Sequence, residues 1–177
     1  EVSTILERAR TEKTKWHYWI VLLGAYTGMR LGEISNLVSD AIKIDEDSGV
    51  NYIHISPRYG ATVKTDASVR QVPIHQTLLE EGFLEFAKAA NGPLFSVETR
   101  TMTQWFGAFR EACGIERYDD FDQRKAFHSF RHTVITKARG NGVDTALVQR
   151  VVGHELSGSG LTDNYTHDFS IAQLKKV

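Results

Sequence analysis

Apolar residues recur along this chain with two different periods, and the change of period divides it into parts. Over residues 16–27, Trp16, Trp19, Ile20, Leu23 and Tyr26 or Thr27 return every three to four positions, the repeat of one helix face. Val21 and Leu22 widen that face, so this helix is predicted to be central, and Thr27-Gly28 ends it. A second, short helix follows Met29-Arg30-Leu31. Its inner stripe is Leu31, Ile34 and Leu37, with Glu33 and Asn36 on another face. Residues 1–10 read as a further helical piece.

The period then falls to two. Residues 41–44 form a short run, Asp45-Glu46-Asp47-Ser48-Gly49 reads as a hairpin turn, and residues 50–56 alternate. Residues 57–67 are irregular. Residues 68–74 alternate again, with Val69 and Val72 near the two ends. This pattern predicts a small three-stranded antiparallel sheet with Lys64 in the connection between its second and third strands.

Helical spacing returns afterwards. Residues 76–90 read as one amphipathic helix stopped by Asn91-Gly92-Pro93. Residues 101–113 carry Trp105, Phe106 and Phe109 inward and stop at Gly114. Residues 130–139 form a third helix, ended by Gly140-Asn141-Gly142. Residues 143–152 form a fourth with Leu147, Val148, Val151 and Val152 on one face, Asp144 as N-cap and Gly153 as C-terminal stop. A Gly/Ser-rich loop at 156–160 precedes a short helix predicted to hold Tyr165, and the tail at 169–177 reads as helical. The fold class expected is therefore α+β, mainly α: helices around one small three-stranded antiparallel sheet.

Composition narrows the class. A chain of 177 residues is expected to form one domain over residues 1–177, burying roughly 70% of its unfolded surface. It begins at Glu1 rather than a methionine, so it is expected to be a piece of a longer protein. The single cysteine, Cys113, excludes an internal disulfide and a multi-cysteine metal site. No apolar run reaches the length of a membrane span. A net charge of −1 and a pI near 6.7 argue against a uniformly basic nucleic-acid binder. The distribution says more than the sum. From Gln123 to Val143 there is no acid, while Arg124, Lys125, Arg131, Lys137 and Arg139 lie there with His128 and His132. Charge runs are usually solvated faces; this one coincides with the candidate chemistry below.

Between His128 and Tyr165 three kinds of side chain appear in order: a cation beside an imidazole, a second imidazole, then a phenol. That inventory suits attack by a tyrosine on a phosphodiester. Arginines can fork onto the non-bridging oxygens through bidentate, charge-assisted bonds. A free phenol has a pKa of about 10, so only roughly one in a thousand is ionised at neutral pH, and a neighbouring imidazole or guanidinium must assist. The leaving 5′-oxygen needs a proton, which a lysine can supply. Arg30 follows Thr-Gly at a helix junction, where a side chain can point into a cleft, and Glu33 one turn on can hold its guanidinium still. Taken singly, each residue has a bland reading: Arg30 a surface ion pair, Lys64 a solvated loop lysine, His154 a helix C-cap, Tyr165 an ordinary tyrosine. His128 and His132 have the i, i+4 spacing of a metal pair, but no third ligand accompanies them, so no metal is expected. His132 reads as a structural hydrogen-bonder. His17, His54, His75 and His167 have no motif around them.

The ordered set is more specific than its members. It comprises Thr27-Gly28-Met29-Arg30-Leu31-Gly32-Glu33-Ile34, a lysine in a β-hairpin connection, His128-Ser129-Phe130-Arg131-His132-Thr133, the helix ending in Gly153-His154, and Tyr165 in Asp163-Asn164-Tyr165-Thr166-His167. Over residues 16–167 the chain resembles the catalytic domain of the tyrosine recombinases, the phage integrase family, with their DNA breaking-rejoining enzyme fold. The resemblance implies that Arg30 and Arg131 clamp the scissile phosphate and that His154 hydrogen-bonds a non-bridging oxygen. It implies that His128 acts as acid/base, that Lys64 protonates the departing 5′-hydroxyl, and that Tyr165 forms a 3′-phosphotyrosyl bond. It further implies no cofactor, metal or ATP, double-stranded DNA as partner, and assembly as a tetramer on DNA. Accessory DNA-bending or excision proteins and the cytoplasm of a bacterial or phage-infected cell follow from the same resemblance. Two departures stand out. The 155–160 loop is two residues or so longer than the family's usual spacing, which leaves cis and trans attack by Tyr165 both open. The N-terminal core-binding domain that family members usually carry is absent from this stretch. The rival readings are a type IB topoisomerase-like enzyme and a DNA-binding regulator with an inactive site.

Overall fold

In the computed structural model, the residues described are 1–60, 69–154 and 169–177. Helices α1 (Val2–Ala9), α2 (Lys15–Thr27) and α3 (Leu31–Ser35) open the chain. A 3₁₀ turn at Ser39–Ala41 leads into β1 (Ile42–Ile44), so Ala41 belongs to the turn rather than to the strand expected from 41 onward. β2 (Asn51–Ile55) and β3 (Arg70–Pro73) complete an antiparallel sheet in the order β1-β2-β3, as the alternating pattern predicts. In its register Ile53 pairs with Ile42 on one side and Val72 on the other, and Ile55 pairs with Arg70. Lys64 falls, in sequence, between β2 and β3, but outside the described residues.

The single helix expected over 76–90 is two, α4 (Gln76–Glu80) and α5 (Phe83–Ala90). Gly82 breaks it by adopting φ 85°, a left-handed value that glycine reaches without steric cost. Its helix-compatible apolar spacing on both sides hides the break from periodicity alone. Then come α6 (Thr99–Ala112), α7 (Ser129–Gly140), α8 (Thr145–Val152) and α9 (Ile171–Leu174). Asp144 caps α8 as expected, its Oδ1 accepting from the Ala146 N–H at 2.8 Å. The Gly/Ser-rich loop and the short helix expected around Tyr165 lie outside the described residues.

α2 is the central helix that its double-width apolar face predicts. Ile20, Val21, Leu22 and Leu23 are wholly buried, each side chain contributing roughly 1.5–3 kcal/mol by leaving water. It packs against α1, α3, α4 and α7, while α8 packs against β3, α7 and α9. The approach of α7 to α2 depends on Gly24. A Cβ there would lie 2.5 Å from Phe127 and 2.8 Å from Phe130. Phe130 is the neighbour of Arg131, so this close approach sets how deep the first turn of α7 sits. α2 thus delivers Gly28 and Arg30 at its C-terminal end, beside the start of α7 and the end of α8.

Candidate active site

Three chain segments meet where α2 ends: the turn into α3, the first turn of α7, and the last turn of α8. Arg30 stands at the N-cap of α3, and its backbone N–H donates to Glu33 Oε2 at 2.8 Å. Its guanidinium is half-exposed, donating from Nη1 to Glu33 Oε1 at 3.0 Å and from Nη2 to the Gly153 carbonyl at 3.2 Å. The carbonyl of Gly28 in turn accepts from Arg131 Nη1 at 3.2 Å, and Arg131 Nε donates to His154 Nε2 at 3.4 Å. Arg30 and Arg131, 101 positions apart in the sequence, are therefore each tied to the Gly153-His154 turn.

Arg131 lies at the bottom of this site with 1% of its surface exposed. Its Nη2 is buried with no hydrogen-bond partner among the described residues. Burial, then the neighbouring charges of Arg30 and Arg70, push its pKa down to about 10, against which Glu33 works. It is still charged at neutral pH. A buried guanidinium N–H with nothing to donate to is costly, and an anion's oxygen is the partner that such a group fits best.

Two imidazoles lie beside Arg131, both exposed. Burial and then Arg131 and Arg30 hold His154 below the usual histidine range. Burial, His132, Arg131 and Arg30 do the same for His128. Both rings are therefore neutral at pH 7 in the free protein. For His154 the hydrogen bond agrees, because Nε2 accepts from Arg131 only when it carries no proton. The proton then sits on Nδ1, which is left to donate. His132 is exposed and places its ring edge-on to that of His128, centroids 5.0 Å apart. Among the described residues no group of three or more His, Cys, Asp or Glu is placed to hold a metal ion. In the acid-free window, Lys125 pairs with Glu1 at 2.7 Å and Arg131 is buried, while Arg124, Lys137 and Arg139 stand exposed.

Glu33 bonds the Arg30 guanidinium and is itself buried, 8% exposed. Its carboxylate accepts from four N–H groups: the backbone and Nη1 of Arg30, and Nη1 and Nη2 of Arg70. Burial alone would raise its pKa, but the Arg70 fork and then Arg30 hold it below the ordinary glutamate value. Arg70 was not among the residues singled out from sequence. The signal was present: Arg70 shares with Val72 the inward register of β3, and a charge at a core-facing strand position requires a buried partner. Lys64 and Tyr165 lie outside the described residues, as does His167.

Fold and site together give a mainly helical architecture with a three-stranded sheet, in which Arg30, Arg131, His128 and His154 gather where α2 ends. The chain belongs to the Phage integrase family, whose profile matches residues 1–170. No curated protein sequence matches it significantly. Among solved structures it is similar to XerA recombinase, at 22% identity and a TM-score of 0.63 over 99% of this chain and 55% of that one. It is similar also to the Tn1549 transposon integrase in complex with a circular intermediate DNA, at 19% identity and a TM-score of 0.63 over 87% of this chain and 56% of that one. The lambda integrase catalytic core aligns at 15% identity and a TM-score of 0.54, over 87% of this chain and 92% of that one. The chain thus spans about half the length of the XerA and Tn1549 recombinases and most of the lambda catalytic core. No helix of the described residues is long and apolar enough to cross a membrane.

Neutralising Glu33 would take away the carboxylate to which both terminal nitrogens of the buried Arg70 donate. Glu33→Gln is expected to destabilise the fold by about 3–5 kcal/mol, read as a lower urea midpoint at unchanged slope. A change below about 1 kcal/mol, the range of exposed ion pairs, would contradict this picture of the carboxylate.

Proposed function

We propose that this chain is the catalytic domain of a site-specific recombinase that cuts and rejoins double-stranded DNA through a covalent tyrosine intermediate. The observation that carries the reading is the buried, unpartnered Nη2 of Arg131 beneath two imidazoles held neutral, with Arg30 beside it. Among the described residues, the three guanidiniums of Arg30, Arg70 and Arg131 lie near one carboxylate, that of Glu33, an excess of two positive charges. A phosphodiester carries one negative charge, and the pentavalent arrangement on the way to products carries two. Fixed donors aimed at that developing charge are the largest source of rate in such chemistry.

In this proposal Arg30 and Arg131 hold the non-bridging oxygens and the Nδ1–H of His154 donates to one of them. Tyr165 Oη attacks phosphorus and gives up its proton with the help of His128. The P–O5′ bond breaks and Lys64 protonates the departing 5′-oxygen, leaving a 3′-phosphotyrosyl link. A 5′-hydroxyl from a partner strand then attacks that link, and Tyr165 recovers its proton. Each step exchanges one phosphodiester for another, so neither ATP nor a metal is required. Glu33 acts by holding Arg30. Relatives seen with DNA, XerH bound to its difH substrate and the Tn1549 integrase with a circular intermediate, support duplex DNA as the partner. A tetramer on DNA, accessory DNA-bending or excision proteins and a cytoplasmic setting in a bacterial or phage-infected cell belong to the same proposal. So does the assignment of residues 1–177 to one catalytic domain.

A nicked suicide duplex tests the reaction. The parent chain is expected to form a covalent DNA adduct in the presence of chelator, lost in Tyr165→Phe and slowed by about 10²–10³ in Arg131→Ala. An adduct that survives Tyr165→Phe, or that requires divalent metal, would overturn the reading; relaxation of supercoiled plasmid without a defined site would favour the topoisomerase-like alternative. Binding should also depend on pH. The two imidazoles start below their usual range, and a bound phosphate raises both, so the complex holds more protons than the free protein. Affinity is therefore expected to rise as pH falls from 8 toward 6 at fixed salt, with a shallower dependence in His154→Asn. A slope unaffected by that substitution would contradict the placement of His154 against the phosphate.

A further inference from the structure

Arg70 is outside the set of residues that the proposed chemistry uses, yet it is as deeply buried as Arg131, each 1% exposed. Its side chain is wholly buried. Both of its terminal nitrogens donate to Glu33 at 2.8 Å, one to each carboxylate oxygen, and its Nε donates to the Val151 carbonyl at 2.8 Å. It thus bonds two of the three segments that build the site: α3, which carries Arg30, and the last turn of α8, which carries Gly153 and His154. Its own strand, β3, is the third attachment. The packing is as close as the bonding. A Cβ on Gly153 would lie 2.9 Å from Arg70 Nη1 and 3.0 Å from both its Cδ and Cζ, and the backbone there is left-handed at φ 68°. The glycine before His154 is therefore required twice, once by the turn and once by the guanidinium lying against it.

We propose that Arg70 is a positioning residue for the phosphate site. Through Glu33 it orients the Arg30 guanidinium, and through the Val151 carbonyl and the Gly153 contact it sets the place of the His154 ring. A buried ion pair is by itself weak grounds for stability, since well-packed apolar residues often serve as well. A pair with a bidentate fork, a third bond to the end of α8 and a glycine-only contact under the site specifies geometry instead. Lysine cannot substitute. It keeps the charge but offers a single point of attachment, not a planar fork. The activity arm of the test rests on the recombinase reading; the structural arm does not.

The experiment compares Arg70→Lys with the parent and with Phe83→Leu, a core substitution in α5 that lowers stability without touching the site. The Arg30 side-chain N–H and His154 ring resonances are followed by NMR, and single-turnover cleavage of the suicide duplex is measured at saturating DNA. In Arg70→Lys both sets of resonances are expected to move. The saturating rate is expected to fall about 10- to 100-fold, the scale of a misplacement near 1 Å, while DNA affinity changes far less. Phe83→Leu should leave resonances and rate at parental values. A parental rate in folded Arg70→Lys overturns the proposal, and so does a slow rate with unmoved resonances. If the lysine variant does not fold, the pair Arg70→Met with Glu33→Met removes both charges together; that variant, folded, is expected to be slow, and a parental rate in it overturns the proposal equally. If the parent forms no tyrosyl adduct, the recombinase reading falls, and the resonances alone then decide whether Arg70 positions Arg30 and His154.

Discussion

One carboxylate holds this site together. Glu33 is buried on a five-residue helix and shared between two guanidiniums, Arg30 at the surface and Arg70 beneath. Without it, two like charges would face each other in a poorly solvated space. With it, the turn after α2, the third strand and the end of α8 become one rigid unit. The exposed Arg30–Glu33 bond alone would be worth little, as surface ion pairs are. It gains its value from Arg70, which holds both oxygens of the carboxylate from beneath.

Arg131 presents the complementary case. Among the described residues it has no carboxylate of its own. Its Nη1 and Nε bonds go to the Gly28 carbonyl and His154 Nε2, and its Nη2 has no partner among the described residues. Burial and neighbouring cations lower its pKa to about 10, so it still carries its charge where it works. The fold therefore maintains an unsatisfied positive group beside two neutral imidazoles. In the proposed reaction an anion completes it. The hydrophobic core makes this tolerable: α2 is buried around nearly its whole circumference, and that packing keeps the positive groups from separating.

Much of this architecture could be read in the chain before any coordinates. The double-width apolar face of 16–27 marks the central helix, the shift to period two marks the sheet, and Asp144 and Gly153 bracket α8. The candidate cations and imidazoles were legible as an ordered set, and Arg30, Arg131, His128 and His154 come together. Three features were not legible, for different reasons. Gly82 splits a helix because a left-handed residue sits inside an unbroken apolar repeat, which spacing cannot show. The contact of Glu33 with Arg30 was legible but its burial was not, because a charged residue on a short helix normally faces solvent. For Arg70 the inward register of β3 signals a buried charge but not which residue pairs with it, because the partner lies 37 positions away. Glu33 and Arg70 each look misplaced alone; together they are a buried pair, and only tertiary structure joins them.

In the proposed chemistry Arg30 and Arg131 act on a single phosphate. A double-mutant cycle on the saturating cleavage rate tests this most directly, using Arg30→Lys, Arg131→Lys and the pair, so that every rate stays measurable. Two side chains gripping the same group are expected to be coupled by at least about 0.5–3 kcal/mol. Effects that add within about 0.3–0.5 kcal/mol, the behaviour of independent sites, would contradict it.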